Sequence, residues 1–77
     1  GSMIGIFVNT TAGKGRASKL ASHLEKALAD KDIAYQSFMD NWPDNTGDVT
    51  EAWVVGGDGT LNYFINKYRE ISIPVAC

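Results

Sequence analysis

The chain is poor in the residues that usually brace a small domain. It has one cysteine in 77 residues, Cys77, so no internal disulfide can form. That fits a reducing, cytoplasmic setting. Its single histidine leaves no His/Cys set with the spacing of a zinc site. His23 stands off the apolar stripe of its segment, between Lys19 and Lys26, and reads as a solvated surface residue. No apolar run approaches the roughly 18 residues of a membrane span, and no stretch reads as a signal peptide. The seven basic residues are scattered, and the formal net charge is −2. Without a basic stripe, nucleic acid is not an expected partner. Asp40, Asp44 and Asp48 recur every fourth residue, whereas an EF-hand needs acids two apart and a glycine at its sixth position. They read as a solvated acidic link, and no protein-built metal site is expected.

What is present is ordinary globular composition, 44% hydrophobic and 21% charged, enough for one small domain and too little for two. Gly1-Ser2 ahead of Met3 reads as a cloning scar, so the fold argument covers residues 3–77. Met3–Val8 (MIGIFV) is a short, nearly all-apolar run, as expected of a strand buried on both faces. From Arg16 the period changes. Ala17, Leu20, Ala21, Leu24, Ala27 and Leu28 form one helical stripe, which Asp30-Lys31-Asp32 ends. Ala34–Met39 is a second strand, of mixed polarity and nearer an edge. Residues 40–50 are a polar link with Pro43 and Gly47, barely long enough for a parallel crossover. Ala52–Val55 is a third strand, with Trp53 expected in the core. Leu61–Tyr68 has helical spacing, and Ile71, Ile73 and Val75 suggest a fourth strand. The order β-α-β-β-α-β predicts an open parallel sheet of about four strands with flanking helices.

Two glycine-rich stretches each follow a strand and precede a helix. In open α/β sheets, ligands bind at the carboxyl ends of strands near the switch point of strand order. Helix N-termini there offer N–H groups to phosphate. The first stretch, Asn9–Gly15 (NTTAGKG), fails the Walker A pattern, because Val8 stands where the first glycine belongs and Gly15 follows Lys14. It also fails the dinucleotide fingerprint, because Ser18 holds the third glycine position, although Asp40 after the second strand resembles a ribose-binding acid. The second stretch, Gly56-Gly57-Asp58-Gly59-Thr60, sets an acid among glycines. Read plainly, it is a helix-capping turn with Asp58 or Thr60 at the N-cap. Paired with the first loop at a neighbouring strand end, it reads instead as a phosphate site.

VNTTAGKGRA (8–17) and GGDGTLN (56–62) together resemble the N-P-x-x-G-x-G-x-A and G-G-D-G-T-x-N-E motifs of the diacylglycerol kinase catalytic-domain family, which includes bacterial lipid kinases and sphingosine kinases. The resemblance covers residues 3–77. It implies a Rossmann-like or phosphofructokinase-like half domain with strand order 2-1-3-4. It also implies transfer of the γ-phosphate of ATP, with Mg²⁺, to a lipid hydroxyl. By position, Asn9, Thr10, Thr11, Ala12 and Gly13 would contact ATP, with Lys14 and Gly15 beside it in the same nucleotide-binding loop. Gly57, Asp58, Gly59, Thr60, Leu61 and Asn62 would line the phosphate side, with Gly56 making the turn of that nucleotide-binding loop and Asp58 positioning phosphate and Mg²⁺. The implied setting is cytoplasmic, with peripheral membrane contact.

The match has departures. Thr10 replaces the family proline, which implies a less rigid loop. Tyr63 replaces the glutamate that would close a capping box with Thr60. The chain stops in what reads as a strand, so residues 3–77 are expected to be the N-terminal nucleotide-binding portion of a longer catalytic unit. The β-rich domain carrying the general base and lipid pocket is absent, which implies a catalytically incomplete piece. An open edge at Ile71–Cys77 would favour self-association. Two other functions share these features: an NAD kinase-like phosphotransferase, which shares GGDGT, and a non-catalytic nucleotide-binding or assembly module.

Overall fold

A computed structural model describes residues 1–77. Four parallel strands form one sheet in the order β2-β1-β3-β4: β1 (Ile4–Val8), β2 (Tyr35–Met39), β3 (Glu51–Val55) and β4 (Val75–Ala76). The expected α/β architecture and strand order are therefore observed. Ile4 of β1 pairs with Tyr35 on one side and Glu51 on the other, so the apolar run is the sheet's centre and all five residues are buried. The polar β2 takes an edge.

The sheet is covered on both faces. Helix α1 (Arg16–Asp30) lays Ala17, Ala21 and Leu28 on Ile4, Ile6, Val8 and Val55. Its stripe is narrower than the periodicity suggests, because Leu20 is 51% exposed. On the other face, helix α2 (Asp58–Lys67) and the residue after it bury Phe64 and Tyr68 against Phe7, Val49, Ala52 and Val54. Phe7 is the hub, with ring centroids 4.7 Å from Phe38, 5.0 Å from Phe64 and 5.5 Å from Trp42. Trp53 is half-buried, its indole N–H donating to Glu51 at 2.6 Å. His23 is exposed, as expected.

The 40–50 link crosses β1 without a helix, and the sequence of β1 explains how. A Cβ on Gly5 would lie 2.8 Å from Val49 Cγ2 and 2.8 Å from Phe7 Cε1. The missing side chain is the space in which Val49 lies flat on the sheet. The link is then pinned by the Tyr68 hydroxyl, which donates to the Pro43 carbonyl at 2.6 Å. Burial of that phenol, with Tyr63 and Asp44 adding to it, pushes its pKa up to about 12.

Two element boundaries differ from the sequence reading. The α2 helix begins at Asp58, three residues before Leu61, so Asp58, Gly59 and Thr60 are its first turn rather than a loop. The fourth strand is two residues long. Ile71 and Ile73 turn inward against the second core cluster instead of extending along the sheet, and pairing starts only after Pro74.

Candidate functional site

Strands β1 and β3 are neighbours, and the chain leaves them toward opposite edges of the sheet. That is the switch point of strand order, where a crevice forms at the carboxyl ends. Here it is a cleft of about 590 Å³, within the size range of small-molecule sites. Val8, Asn9, Thr11 and Ala12 come from the end of β1 and its loop, and Asp40 and Trp42 follow β2. Gly57, Gly59, Thr60 and Tyr63 come from the turn after β3 and from α2.

Asn9 joins the two glycine-rich segments. Its backbone N–H donates to the Val55 carbonyl at 3.0 Å, tying the ends of β1 and β3 together. Its side-chain Nδ2 donates to Thr60 Oγ1 at 3.1 Å. The amide oxygen meanwhile accepts from the Thr11 N–H at 3.1 Å and the Thr11 hydroxyl at 2.6 Å, closing an Asx turn. A side chain with both a donor and an acceptor is needed there, and asparagine has both.

The turn after β3 is set by a close approach. A Cβ on Gly56 would come within 2.7 Å of Thr60 Cβ and 2.8 Å of its Cγ2, so only glycine lets the first turn of α2 fold back over the strand end. Thr60, 6% exposed, is the only buried polar residue of the chain. Gly57 is the helix N-cap, and no side chain caps the helix. The expected caps, Asp58 and Thr60, are inside the helix. Consequently Tyr63 cannot be the failed partner of a capping box, since Thr60 is not an N-cap. Tyr63 instead projects beside Trp42, ring centroids 5.4 Å apart.

The loop after β1 is held differently. Thr10 donates its N–H to Asp40 Oδ1 at 2.8 Å and its hydroxyl to Asp40 Oδ2 at 2.5 Å. A proline at position 10 could make neither bond. The replacement therefore fastens the loop to the end of β2, where a less rigid loop was expected. The Thr10 hydroxyl, and then its N–H, hold the Asp40 carboxyl below the usual carboxylate range. Gly13 and Lys14 take left-handed backbone (φ 65° and 55°), as does Gly15, the N-cap of α1 (φ 95°). The Arg16 guanidinium Nε donates to the Gly13 carbonyl at 3.0 Å.

Of the residues named from sequence, Asn9, Thr11, Ala12, Gly57, Gly59 and Thr60 line the main cleft. Gly13 and Gly56 line a second hollow of about 290 Å³ that shares Ala12 and Gly57 with it. Thr10 lines neither and acts through Asp40. Lys14, Gly15, Asp58, Leu61 and Asn62 line neither; Leu61 packs on the core, and the rest are exposed. Val8, Asp40, Trp42 and Tyr63 also line the cleft; from sequence, Asp40 reads only as resembling a ribose-binding acid, Trp42 as core, edge cover or pocket wall, and Tyr63 as packing or stacking on a ligand. The strand-end rule points to Asp40 and Trp42, because they immediately follow β2.

An open parallel sheet whose glycine-bearing turns abut at the switch point defines an α/β domain with its site at the strand ends. The family model for the diacylglycerol kinase catalytic domain matches residues 3–77, and the chain belongs to that lipid-kinase-like family. No curated protein and no solved structure matches it. No helix is long and apolar enough to cross a membrane.

Proposed function

We propose that this chain is the nucleotide-holding part of a lipid kinase, seating the phosphates of ATP between the β1 loop and the first turn of α2. The observation that carries the reading is the bare N-terminus of α2. The first N–H groups of a helix have no intrahelical partner and are ordinarily met by a Ser, Thr, Asp or Asn cap. Here the cap is Gly57. The Thr60 N–H turns back to the Gly57 carbonyl at 3.0 Å, but nothing meets the Asp58 and Gly59 N–H groups, and Gly57 and Gly59 both line the cleft. A plain turn gains nothing from leaving them open. A phosphate gains donors aligned with the positive end of the helix dipole.

The groups of the cleft fit such a ligand. Asn9 fixes the spacing of the two segments, Thr11 adds a hydroxyl, and Val8, Ala12 and Trp42 give apolar walls. Mg²⁺ has no protein cage here, since no group of three or more His, Cys, Asp or Glu residues converges. Asp58, in the first turn of α2, is the carboxylate that would offer a ligand to Mg²⁺ brought in with the phosphates, Asp40 being already held by Thr10. Bound ATP·Mg²⁺ would supply the phosphoryl group and neutralise charge developing on it. The chain's own part is positioning. The only ionisable side chains lining the cleft are Asp40 and Tyr63, and neither is set up as a base for an acceptor hydroxyl. These residues therefore take the role of nucleotide binding, and none of them is assigned to lipid recognition.

The test is an amide NMR titration with Mg-ADP. Signals of Asn9–Gly15 and Gly56–Asn62 should move together with one dissociation constant. If neither segment moves at millimolar nucleotide, the site is not a nucleotide site.

A further inference from the structure

Tyr63 is a large aromatic residue left 57% exposed on a small domain, and it borders the cleft instead of the outer surface. Its neighbour Trp42 is fixed from behind. The Trp42 indole N–H donates to the Val8 carbonyl at 3.2 Å, and its rings meet Phe7 edge-on at 5.5 Å (80°) and Phe64 at 6.0 Å (66°). With its only polar group satisfied, Trp42 has apolar ring surface alone to offer a ligand.

The helix explains where the Tyr63 ring goes. Tyr63 is four residues after Gly59, so the two share one face of α2. A helical side chain leans back over the preceding turn, which here ends at the glycine. A Cβ on Gly59 would meet nothing within 4 Å, so the space in front of the first turn is open beside the ring. One turn separates the two positions, about 6 Å along the axis, comparable to the reach of one ribose.

We infer that Trp42 and Tyr63 form the base-recognition wall of the cleft, on which the heterocycle of a nucleotide stacks while its phosphates sit at Gly57–Gly59. The inference rests on the phosphate reading above and adds what selects a nucleotide over a bare polyphosphate. Base–aromatic contact of this kind accounts for a substantial part of binding and tolerates several bases, because every base has a π-face. The cleft should therefore prefer nucleotides to inorganic polyphosphate more strongly than it prefers one purine to another.

The experiment compares three probes on the full chain: Mg-ATP, magnesium tripolyphosphate and adenosine. Because Tyr63 is exposed, Tyr63→Ala should fold, and Tyr63→Phe serves as the conservative rescue. ATP should bind wild type about ten-fold or more tightly than it binds Tyr63→Ala. Tripolyphosphate should bind both equally, and Tyr63→Phe should restore ATP affinity. The Trp42 indole NMR signal should move with ATP and adenosine and stay still with tripolyphosphate. Equal ATP affinity in wild type and Tyr63→Ala, with the loop signals still moving, overturns the wall and leaves the phosphate site standing. Tripolyphosphate moving neither loop, with adenosine still moving the Trp42 signal, overturns the phosphate reading and supports the aromatic wall.

Discussion

The two segments that follow β1 and β3 do opposite things with their hydrogen-bonding groups. The β1 loop spends them on the protein. Thr10 is clamped to Asp40, Thr11 to Asn9, and the Gly13 carbonyl to Arg16. Gly56-Gly57 passes straight into α2 and leaves the first turn uncapped. Only one side-chain bond, Asn9 to Thr60, runs between them. A rigid wall thus faces the two free N–H groups of Asp58 and Gly59. Glycine also has different roles on the two sides. At positions 13 and 15 it permits left-handed backbone, and at position 56 it permits a close approach.

Substitutions at the glycines after β3 should separate structure from site. The largest effect is expected at Gly56. Gly56→Ala drives a methyl into the Thr60 side chain and displaces the hydroxyl that Asn9 uses, so it should destabilise by about 1–3 kcal/mol, the usual cost of overpacking. A denaturant midpoint equal to wild type would show that α2 can shift away without loss. Gly59→Ala should act in reverse. The added Cβ meets no protein atom, and alanine in a helix is favoured over glycine by about 0.5–1 kcal/mol. The variant should melt higher yet lose nucleotide-induced shifts, because the methyl stands over the cleft. Higher stability with unchanged binding would move the phosphate seat elsewhere. Gly57→Ser should stabilise by only about 0.3 kcal/mol through better capping, and it should weaken binding by satisfying the donors internally.

Much of the scaffold was legible in the sequence because few arrangements bury it. An all-apolar MIGIFV belongs in the middle of a sheet and a polar YQSFM at its edge, as the observed order 2-1-3-4 has them. Periodicity was less informative about what covers a face. Leu20 and Ile65 fit helical stripes and are nonetheless exposed, Leu20 lining the second hollow beside Gly56 and Gly57. The start of α2 was hidden because Gly-Asp-Gly is poor helix sequence by local propensity. Packing of Phe64 and Tyr68 on Phe7 holds that turn in place. The loops were readable as a pair, but Trp42 and Tyr63 were not readable as partners. They are 21 positions apart in the sequence, and only the short crossover over Gly5 brings them together.

The smallest expected effect tests the closed side of the comparison. Asp40 is solvent-exposed, so its clamp is expected to show in a titration rather than in global stability. With both oxygens accepting from Thr10, Asp40 stays charged in the folded chain at pH values where the unfolded chain has already bound a proton. The unfolded state then holds more protons, and this contribution to stability is full above the ordinary carboxylate pKa. It fades as pH falls through the lower, folded value. Thr10→Val removes the hydroxyl, the larger cause, and keeps the N–H, so the Asp40 pKa should rise part of the way toward normal. Thr10→Pro restores the family residue and removes both donors, so the pKa should rise fully. Carboxyl NMR titration of the three proteins measures the order wild type, Thr10→Val, Thr10→Pro. An unmoved Asp40 in Thr10→Pro would mean that something other than Thr10 holds the loop. A fully shifted Asp40 with Asn9–Thr60 intact would show that ring closure at position 10 and hydrogen bonding to Asp40 are two alternative ways of fastening the same wall, leaving the open donors of α2 unaffected.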